Sequence, residues 1–312
     1  MTAKRIWITG AAGFLGGHVA QVFHDAGWSV SGIDIAPRPS ASAVPFAGWV
    51  QGSVDASALA GVAQGGLPDC VFHAAGSGSV GRSFEDPEQD FADAVTTTQT
   101  ILGFIRDQAP TATFVLPSSA AIYGACPAEP LAEDRAPAPV SPYGRHKLMA
   151  EELCHEASRD DGLRTIVVRY FSLYGVGLRK QLLWDLASKA MAADGGVELF
   201  GTGAETRDML DVRDAARMVL SLVETAGDGA TLVNGGTGRA LSVREIAQAL
   251  LVALGLELEL RFNGEDRQGD PKHYQADTRR AQALGVIPEV RFEDGVSAYA
   301  RWFRTVRREA GI

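Results

Sequence analysis

The chain has 312 residues, of which 46% are hydrophobic and 21% charged, with 35 glycines and 14 prolines. These proportions are typical of a soluble globular protein and exclude a disordered chain, a collagen helix and a coiled coil. A chain of this length buries roughly three quarters of its unfolded surface, so it needs no disulfide or metal to hold a core. The net charge is −9 and no stretch concentrates Lys and Arg, which argues against nucleic acid as a partner.

The cysteine pattern and the N-terminus indicate a cytoplasmic protein. The cysteines are odd in number and widely spaced, without a Cys-x-x-Cys pair or a His at zinc-ligand spacing, at positions Cys70, Cys126 and Cys154. We therefore expect reduced thiols and no metal site. Lys4-Arg5 and the apolar residues after it imitate a signal peptide, but four glycines between positions 10 and 17 favour a backbone role. No apolar run approaches the roughly 18 residues of a membrane span.

The first half of the chain alternates short apolar runs with longer amphipathic ones, which predicts β-α-β units around a parallel sheet. The predicted strands are RIWIT, WSVSGID, GWVQGSV, CVFHAAG, TFVLPSS and TIVVRYFS. Long helices are predicted from about Pro87 to Arg106 and from about Pro142 to Arg159. The proline-rich acidic stretch CPAEPLAEDRAPAPVSP between the last two strands is predicted to be a surface loop.

After Tyr174-Gly175 the alternation stops and shorter elements follow. They are a helix near Leu182–Ala193, the strand VELF, a helix from Val212, the strand TLVNGG and two or three later helices. This pattern predicts a smaller second lobe, with some segments returning to the main sheet. We place a first domain at residues 1–171, with segments near 209–235 returning to it, and a second lobe at 172–312.

A glycine-rich turn follows the first predicted strand, with Gly10, Gly13 and Gly16 leading into a helical pattern. Glycines there permit a tight turn and close approach of a pyrophosphate, while the helix N-terminus favours negative charge. This placement predicts a dinucleotide site, the alternative being an ordinary glycine-rich turn. Asp34 ends the second strand, where a carboxylate accepts both ribose hydroxyls of NAD and repels the 2′-phosphate of NADP. Arg38 leaves NADP open, although a surface arginine is the simpler interpretation.

Other cofactor contacts are expected where the helix begins and where the third and fourth strands end. These residues are Phe14, Leu15, Ser53, Val54, Ala74, Ala75 and Gly76. His73, beside them, is interpreted as a packed strand residue rather than a catalyst.

Tyr143 and Lys147 are four residues apart in SPYGRHKLMAEE, which puts both on one face of a helix. A phenol is a poor base at neutral pH because its ordinary pKa is about 10. A neighbouring ammonium and a nicotinamide cation favour the phenolate. Ser119, at the end of the fifth strand, could bond the same hydroxyl. Tyr and Lys at this spacing also occur by chance, so the pair alone is weak.

With these motifs the chain resembles the extended short-chain dehydrogenase/reductase family of nucleotide-sugar epimerases and dehydratases, nearly end to end. The motifs occur in the family's order: GxxGFLG, HAAG, SSAAIYG, SPYGRHK, RYFSLYG, GAETRDMLDVRDAA and DRQGDPKHYQAD. The resemblance implies an α/β fold with a Rossmann-type doubly wound parallel sheet and a smaller C-terminal substrate-binding lobe. It also implies NAD as the cofactor and a nucleotide-diphosphate sugar as the substrate.

The resemblance also implies residue roles. Tyr143 would be the acid/base, Lys147 would orient the nicotinamide ribose and lower the tyrosine pKa, and Ser119 would hold the reacting sugar oxygen. The further residues expected at the cofactor are Ser118, also a support at the strand end, and Tyr170; those expected at the substrate are Ser172, Arg207, Arg267 and Asp270. A guanidinium suits a diphosphate because of its bidentate fork, the alternative for each arginine being a surface salt bridge.

Departures from the family pattern narrow the reaction. Dehydratases of this family carry an Asp-Glu pair where this chain has Ala120 and Ala121. Without that carboxylate, dehydration or decarboxylation is disfavoured. Ser172 stands where many relatives have Asn, Asp93 occupies a position that is usually Asn, and Gly78 replaces a larger or basic side chain of some hexose epimerases.

These features predict an NAD-dependent epimerase that inverts carbon 4 of a nucleotide sugar through a transient 4-keto sugar. A 4-keto sugar reductase that consumes NAD(P)H is the alternative enzyme, and a non-catalytic dinucleotide-binding module is the alternative of another class. Family resemblance also implies a homodimer through the two long helices.

Overall fold

The computed structural model describes residues 3–40, 43–76, 78–193, 195–265 and 272–309. Its strands are β1 (Arg5–Thr9), β2 (Ser29–Asp34), β3 (Gly48–Gln51), β4 (Cys70–His73), β5 (Thr113–Ser119), β6 (Thr165–Tyr170), β7 (Ser172–Tyr174), β8 (Gly196–Leu199), β9 (Thr206–Asp211), β10 (Ala230–Gly235), β11 (Ala240–Ser242) and β12 (Glu259–Phe262). Its α-helices are α1 (Phe14–Asp25), α2 (Ala56–Ala63), α3 (Val80–Glu85), α4 (Pro87–Phe91), α5 (Thr97–Gln108), α6 (Pro142–Asp161), α7 (Gln181–Ala192), α8 (Val212–Thr225), α9 (Val243–Ala253), α10 (Arg279–Ala283) and α11 (Phe292–Glu309). A π-helical turn (Ala92–Thr96) joins α4 to α5, and a 3-10 turn (Ala120–Tyr123) follows β5.

Seven strands form one parallel sheet in the order β3-β2-β1-β4-β5-β6-β10. The order reverses direction beside β1, which is the doubly wound arrangement and confirms the predicted fold class. The central strands are apolar on both faces, as a sheet covered by helices requires. The core on one face joins α1 and α8, through residues such as Phe23 and Leu222. The core on the other face joins α2, α5 and α6, through residues such as Leu59, Ile105 and Cys154.

The second lobe has its own apolar core, formed mainly by α7, α9 and α11 with Leu186, Ile246, Leu250, Tyr299 and Phe303. It also contains the strand sets β11-β9-β7 and β12-β8. The chain returns to the main sheet at β10, which pairs with β6 from Ala230 to Gly235. The division of the chain into two domains stays a prediction.

Several elements differ from the sequence-based expectation. The helix predicted from Pro87 to Arg106 is interrupted by the π-turn Ala92–Thr96 and continues to Gln108. The short helices α2 and α3 were not predicted, although Asp55 and Ser79 cap them by accepting from main-chain amides. In the proline-rich loop, Leu131 forms an isolated bridge to Ala276.

Cys70 and Cys154 are buried, Cys126 is half-buried, and all three are free. In the part of the chain that the structure describes, no helix combines the length and apolar character needed to cross a bilayer.

Candidate active site

The parallel register brings the predicted site residues to the carboxyl edge of one sheet. Thr9 pairs with both Ile33 and His73, and Ser119 pairs with Tyr170. The glycine-rich turn, Asp34 and the Ala74 segment therefore follow neighbouring strands at the same edge, where α/β sheets bind ligands.

The glycine-rich turn leaves no room for side chains. Gly10 has φ +68°, and a Cβ placed on Gly16 would lie 2.1 Å from the Gly10 carbonyl oxygen. The turn is closed by the Gly13 amide, which donates to the same oxygen at 3.0 Å. Because the glycines at the start of α1 have no side chains, a pyrophosphate can approach the main-chain amides there. The Phe14 side chain packs against the core of the second lobe, and the Leu15 side chain packs against the core that joins α1 and α8. These two residues would therefore contact a cofactor through their main chain.

Asp34 is held beside this turn. Its carboxylate accepts from the amides of Ala12 and Ala36, each at 2.8 Å. The Gly52 amide donates to the Asp34 carbonyl at 2.8 Å, which brings Ser53 next to the same strand end. Ser53 is exposed, whereas Val54 packs against the core, so Ser53 offers the polar side chain.

The fourth strand ends against the glycine-rich turn. The Ala74 amide donates to the Thr9 carbonyl at 3.1 Å, and the Ala75 amide to the Thr9 hydroxyl at 3.2 Å. His73 is buried between hydroxyls, with Nδ1 2.7 Å from Thr9 Oγ1 and Nε2 2.9 Å from Thr97 Oγ1. Burial, with a smaller effect of Lys147, lowers the pKa of His73 to about 3. His73 is therefore a neutral, packed strand residue.

The start of α6 presents the Tyr143 and Lys147 side chains. Ser141 caps the helix by accepting from the Gly144 amide at 3.1 Å, and Pro142 occupies the first turn. The Ser119 side chain lies near enough to the Tyr143 hydroxyl to lower the tyrosine pKa. Lys147 Nζ lies 6.0 Å from the centre of the Tyr143 ring and donates to the Pro117 carbonyl at 3.0 Å. The structure thus brings Ser119, Tyr143 and Lys147 together.

Burial dominates the electrostatics of this group. It raises the pKa of Tyr143 above the ordinary tyrosine value; the Ser119 contact lowers that pKa and Asp90 raises it. Burial also lowers the pKa of Lys147, which Asp90 and Glu151 partly restore. Desolvation is therefore a larger effect on the Tyr143 pKa than the Ser119 contact that lowers it.

Three features that we did not predict position Tyr143. Its amide donates to the Ser83 hydroxyl at 3.0 Å, which attaches α6 to α3. Gly144 packs against the turn after Ser119, since a Cβ on it would lie 2.7 Å from the Ala121 carbonyl oxygen. Asp90 accepts from His146 Nδ1 at 2.7 Å, between α4 and α6. In the sequence, the histidine next to Lys147 and the aspartate in the helix predicted from Pro87 could have indicated that last contact.

Two residues predicted at the cofactor have hydroxyls that are bonded within the protein. The Ser118 hydroxyl is buried and donates to Glu151, which fits the predicted support at the strand end. The Tyr170 side chain is buried in the main core and its hydroxyl donates to the Ala215 carbonyl at 3.0 Å. Both residues stay predictions for the cofactor site.

The predicted substrate residues lie toward the second lobe. Ser172 begins β7 and pairs with Met209 of β9, two residues beyond Arg207. Arg207 donates to the Thr206 carbonyl at 2.9 Å and lines an open cavity of about 470 Å³. The cavity is also lined by Trp184, Asp185, Lys189, Phe200, Glu205, Glu265 and Lys272, among others. Arg267 and Asp270 lie outside the described residues.

Three residues that depart from the family pattern lie in the turns beside the Ser-Tyr-Lys group. Asp93 lies in the π-turn, where its carboxylate accepts from Gln89 at 2.7 Å. Ala120 is buried and Ala121 half-buried in the turn after Ser119. Within the described residues, no group of three or more His, Cys, Asp or Glu side chains is placed to hold a metal ion.

A doubly wound sheet with a glycine-rich turn and a Ser-Tyr-Lys group at one edge defines an α/β protein of the dinucleotide-binding class. A family model for the NAD-dependent epimerase/dehydratase family matches residues 6–236. The chain belongs to this family, which confirms the predicted family and NAD as the predicted cofactor.

Named relatives are similar over nearly their whole length. UDP-glucose 4-epimerase of Azospirillum brasilense is 32% identical over 331 residues, covering 99% of this chain and 94% of that protein. The structure of Thermotoga maritima UDP-glucose 4-epimerase with UDP-glucose has a TM-score of 0.88 and 27% identity, covering 97% of this chain and 99% of that one. MoeE5 in complex with UDP-glucuronic acid and NAD has a TM-score of 0.87 and 28% identity, with the same coverage.

Proposed function

We propose that this protein is an NAD-dependent 4-epimerase of a nucleotide-diphosphate sugar, with UDP-hexoses as the first substrates to test. The observation that carries the proposal is the grouping of Ser119, Tyr143 and Lys147 at the sheet edge that holds the glycine-rich turn. The relatives named UDP-glucose 4-epimerase support the same reaction.

The residues at the sheet edge fit NAD. The turn formed by Gly10, Gly13 and Gly16 would receive the pyrophosphate, because no side chain there blocks access to the main-chain amides. A Cβ on Gly16 would overlap the Gly10 carbonyl, so the turn requires glycine at this position. Asp34, fixed by two amides, retains lone pairs for the ribose hydroxyls. The chemistry that a bound NAD would supply is reversible hydride acceptance at carbon 4 of the sugar.

The proton is handled by the chain's own residues. Ser119 and Tyr143 lie side by side, so a sugar hydroxyl that approaches both can pass its proton to the tyrosine oxygen. Because burial raises the pKa of Tyr143, a nearby positive charge is needed to favour the phenolate. Lys147, fixed on the Pro117 carbonyl, supplies such a charge one helical turn away. Return of the same proton to the inverted hydroxyl restores Tyr143.

The nucleotide would occupy the cavity that contains Arg207. The Arg207 guanidinium provides hydrogen-bond donors for a diphosphate. Trp184 and Phe200 offer apolar surface for the nucleotide base. Arg267 and Asp270 stay predictions for the diphosphate and the ribose. Ser172, at the first position of β7, is proposed to face the sugar.

The side chains after Ser119 disfavour elimination chemistry. Ala120 and Ala121 carry no acid or base to remove a proton or a hydroxyl from the neighbouring carbon. Inversion at carbon 4 needs Tyr143, Ser119 and the cofactor, and no further carboxylate.

The proposal is tested with UDP-glucose that carries deuterium on carbon 4. An epimerase returns the hydride it removed, so deuterium should remain on carbon 4 of the inverted product and no net NADH should accumulate. Stoichiometric oxidation of NADH with a 4-keto nucleotide sugar, together with no inversion of any UDP-hexose, would instead establish the reductase. Tight NAD binding without turnover of either substrate class would point to a non-catalytic module.

We also propose a cytoplasmic homodimer that pairs through α4, α5 and α6. Phe91 on α4 and Met149 on α6 are large apolar side chains that remain 38% and 39% exposed in the single chain, which an apolar interface would cover. Sedimentation analysis of the native protein and Phe91→Asp tests this pairing. A dimer in the native protein and a monomer in the variant are expected, and a native monomer would contradict it.

A further inference from the structure

The Lys180 ammonium lies beside the backbone of Gly78. Gly78 has φ +52°, and a Cβ placed on it would lie 3.7 Å from Lys180 Nζ, the described atom it would meet within 4 Å. A Cβ at position 78 would thus be in ordinary van der Waals contact with the ammonium. The departure from the family pattern at Gly78 thus brings a cation from another part of the chain to the same point.

The segment that carries Lys180 lies against the first turn of α1. His18 Nε2 is 3.1 Å from the Val176 carbonyl oxygen. A Cβ placed on Gly177 would contact the Phe14 ring at 3.6 Å. The Leu178 carbonyl accepts from the Tyr299 hydroxyl of α11 at 2.9 Å. Residues 175–180 are therefore anchored between the glycine-rich turn and the second lobe.

The direction of the chain at Lys180 is set by its neighbour. Gln181 has φ +66°, the sole positive value at a non-glycine residue among those the structure describes. Backbone in this region is held by surrounding structure rather than by its own preference. It turns the chain from the anchored segment into α7 immediately after Lys180.

Lys180 connects two parts of the chain that lead to opposite ends of the proposed substrate site. From Lys180 onward, α7 contributes Trp184, Asp185 and Lys189 to the cavity that contains Arg207. From Gly78 onward, the chain leads to Ser83, whose hydroxyl holds the Tyr143 amide. The Lys180 ammonium therefore stands where the segment that leads into α3 meets the segment that leads into α7.

We propose that Lys180 binds an anionic oxygen of the nucleotide-sugar substrate as it passes from the Arg207 cavity to Tyr143. This inference rests on the proposed function and names a specificity residue for it. The anionic oxygen belongs either to the diphosphate or to a carboxylate on the sugar, and both present the same charge to an ammonium.

The electrostatics of Lys180 agree with this role. Its side chain is reached by solvent, but the surrounding protein removes enough water to lower the pKa of the ammonium below the ordinary lysine value. A bound anion would offset that effect, because opposite charge favours the charged form.

The experiment is calorimetric titration of the NAD-loaded protein with UDP, UDP-glucose and UDP-glucuronate, and a separate titration of the free protein with NAD. The variants are Lys180→Met, Lys180→Arg as the conservative replacement, and Lys4→Met as a matched loss of charge at the start of the main sheet. Lys4 lies over the Trp28 ring, on another surface. Thermal unfolding shows that each variant is folded.

Lys180→Met should weaken the binding of the ligand that carries the recognised anionic oxygen by about 10- to 100-fold, the effect of losing one charge-assisted hydrogen bond. Lys180→Arg and Lys4→Met should bind the same ligands with nearly the native affinity. Equal weakening for all three ligands assigns the diphosphate, and weakening confined to UDP-glucuronate assigns a sugar carboxylate. Unchanged affinity for all three ligands in Lys180→Met would overturn the inference alone, as would a loss of affinity for NAD only. If the native protein bound none of the three, the proposed function would fail as well.

Discussion

Arg169 and Glu151 form a buried ion pair that joins β6 to the helix carrying Tyr143 and Lys147. Arg169 Nη2 lies 2.7 Å from Glu151 Oε2, and the two side chains are 5% and 2% exposed. The same carboxylate accepts from the Ser118 hydroxyl at the end of β5. Three elements under the site are thus connected through one carboxylate.

Loss of the Glu151 charge should destabilise the fold strongly. Glu151→Gln leaves the Arg169 guanidinium buried without its counter-charge, which typically costs about 3 to 5 kcal/mol of unfolding free energy. Urea denaturation measures this directly. Asp160→Asn is the control, because Asp160 pairs with Arg159 on the surface and should change stability little. Similar stability of the two variants would contradict the prediction.

Replacement of the proposed acid/base should separate binding from turnover. Tyr143→Phe is expected to retain NAD affinity and to lower kcat by about two to four orders of magnitude, the range for a positioned proton-transfer group. Since burial raises the pKa of Tyr143, kcat/KM of the native enzyme should increase with pH above neutrality as the phenolate forms. Near-normal turnover in the variant would remove Tyr143 from the mechanism.

His73 should make the fold sensitive to acid. Its folded pKa of about 3 is below the unfolded value of about 6.5, so the unfolded chain binds the proton first as the pH falls. The stability contributed by neutral His73 is complete above pH 6.5 and is lost progressively toward pH 3. Between pH 6.5 and 4.5 the native protein should lose on the order of 2 kcal/mol more than His73→Gln. Parallel stability curves for the two proteins would refute this.

Asp34 should determine the choice between the two nicotinamide cofactors. We expect the native protein to bind NAD more tightly than NADP, and Asp34→Ala to reduce that preference because the carboxylate that repels the 2′-phosphate is gone. Calorimetric titration with both cofactors gives the ratio. Equal affinities in the native protein would exclude the proposed role of Asp34.

Arg207 should serve the substrate and not the cofactor. Arg207→Ala is expected to raise KM for the nucleotide sugar about tenfold or more with little change in NAD affinity, since the lost bonds are made to phosphate. Arg261→Ala, which removes an exposed arginine paired with Glu259, is the matched control. Loss of NAD binding or of folding in Arg207→Ala would make the arginine structural.

The sequence predicted the elements whose signal is local. Alternating apolar runs marked the strands of the main sheet, and Gly10, Asp34 and Tyr143 stand at the strand and helix ends where their contacts require them. The contacts that were missed depend on distant residues. Glu151 follows Lys147 by one turn on α6, but nothing near it in the chain indicates its partner Arg169 or Ser118.

The interruption of the predicted helix at the π-turn has a similar cause. Residues 87–106 have helical spacing throughout, so their pattern predicts one helix. The π-turn lies where Thr97 meets both the Asp93 carbonyl and His73. That contact comes from β4, which is remote in sequence, and it could not be inferred from the helix itself.

The absence of a side chain at Gly144 allows the residues at positions 120 and 121 to vary without changing the geometry of the site. The separation between the Ser119 turn and α6 is set by main chain against main chain, because Gly144 faces the Ala121 carbonyl oxygen with no side chain between them. The side chains at positions 120 and 121 do not enter that contact. Evolution can therefore exchange them, adding or removing a carboxylate that selects the fate of the sugar, while the spacing between tyrosine and serine is inherited unchanged.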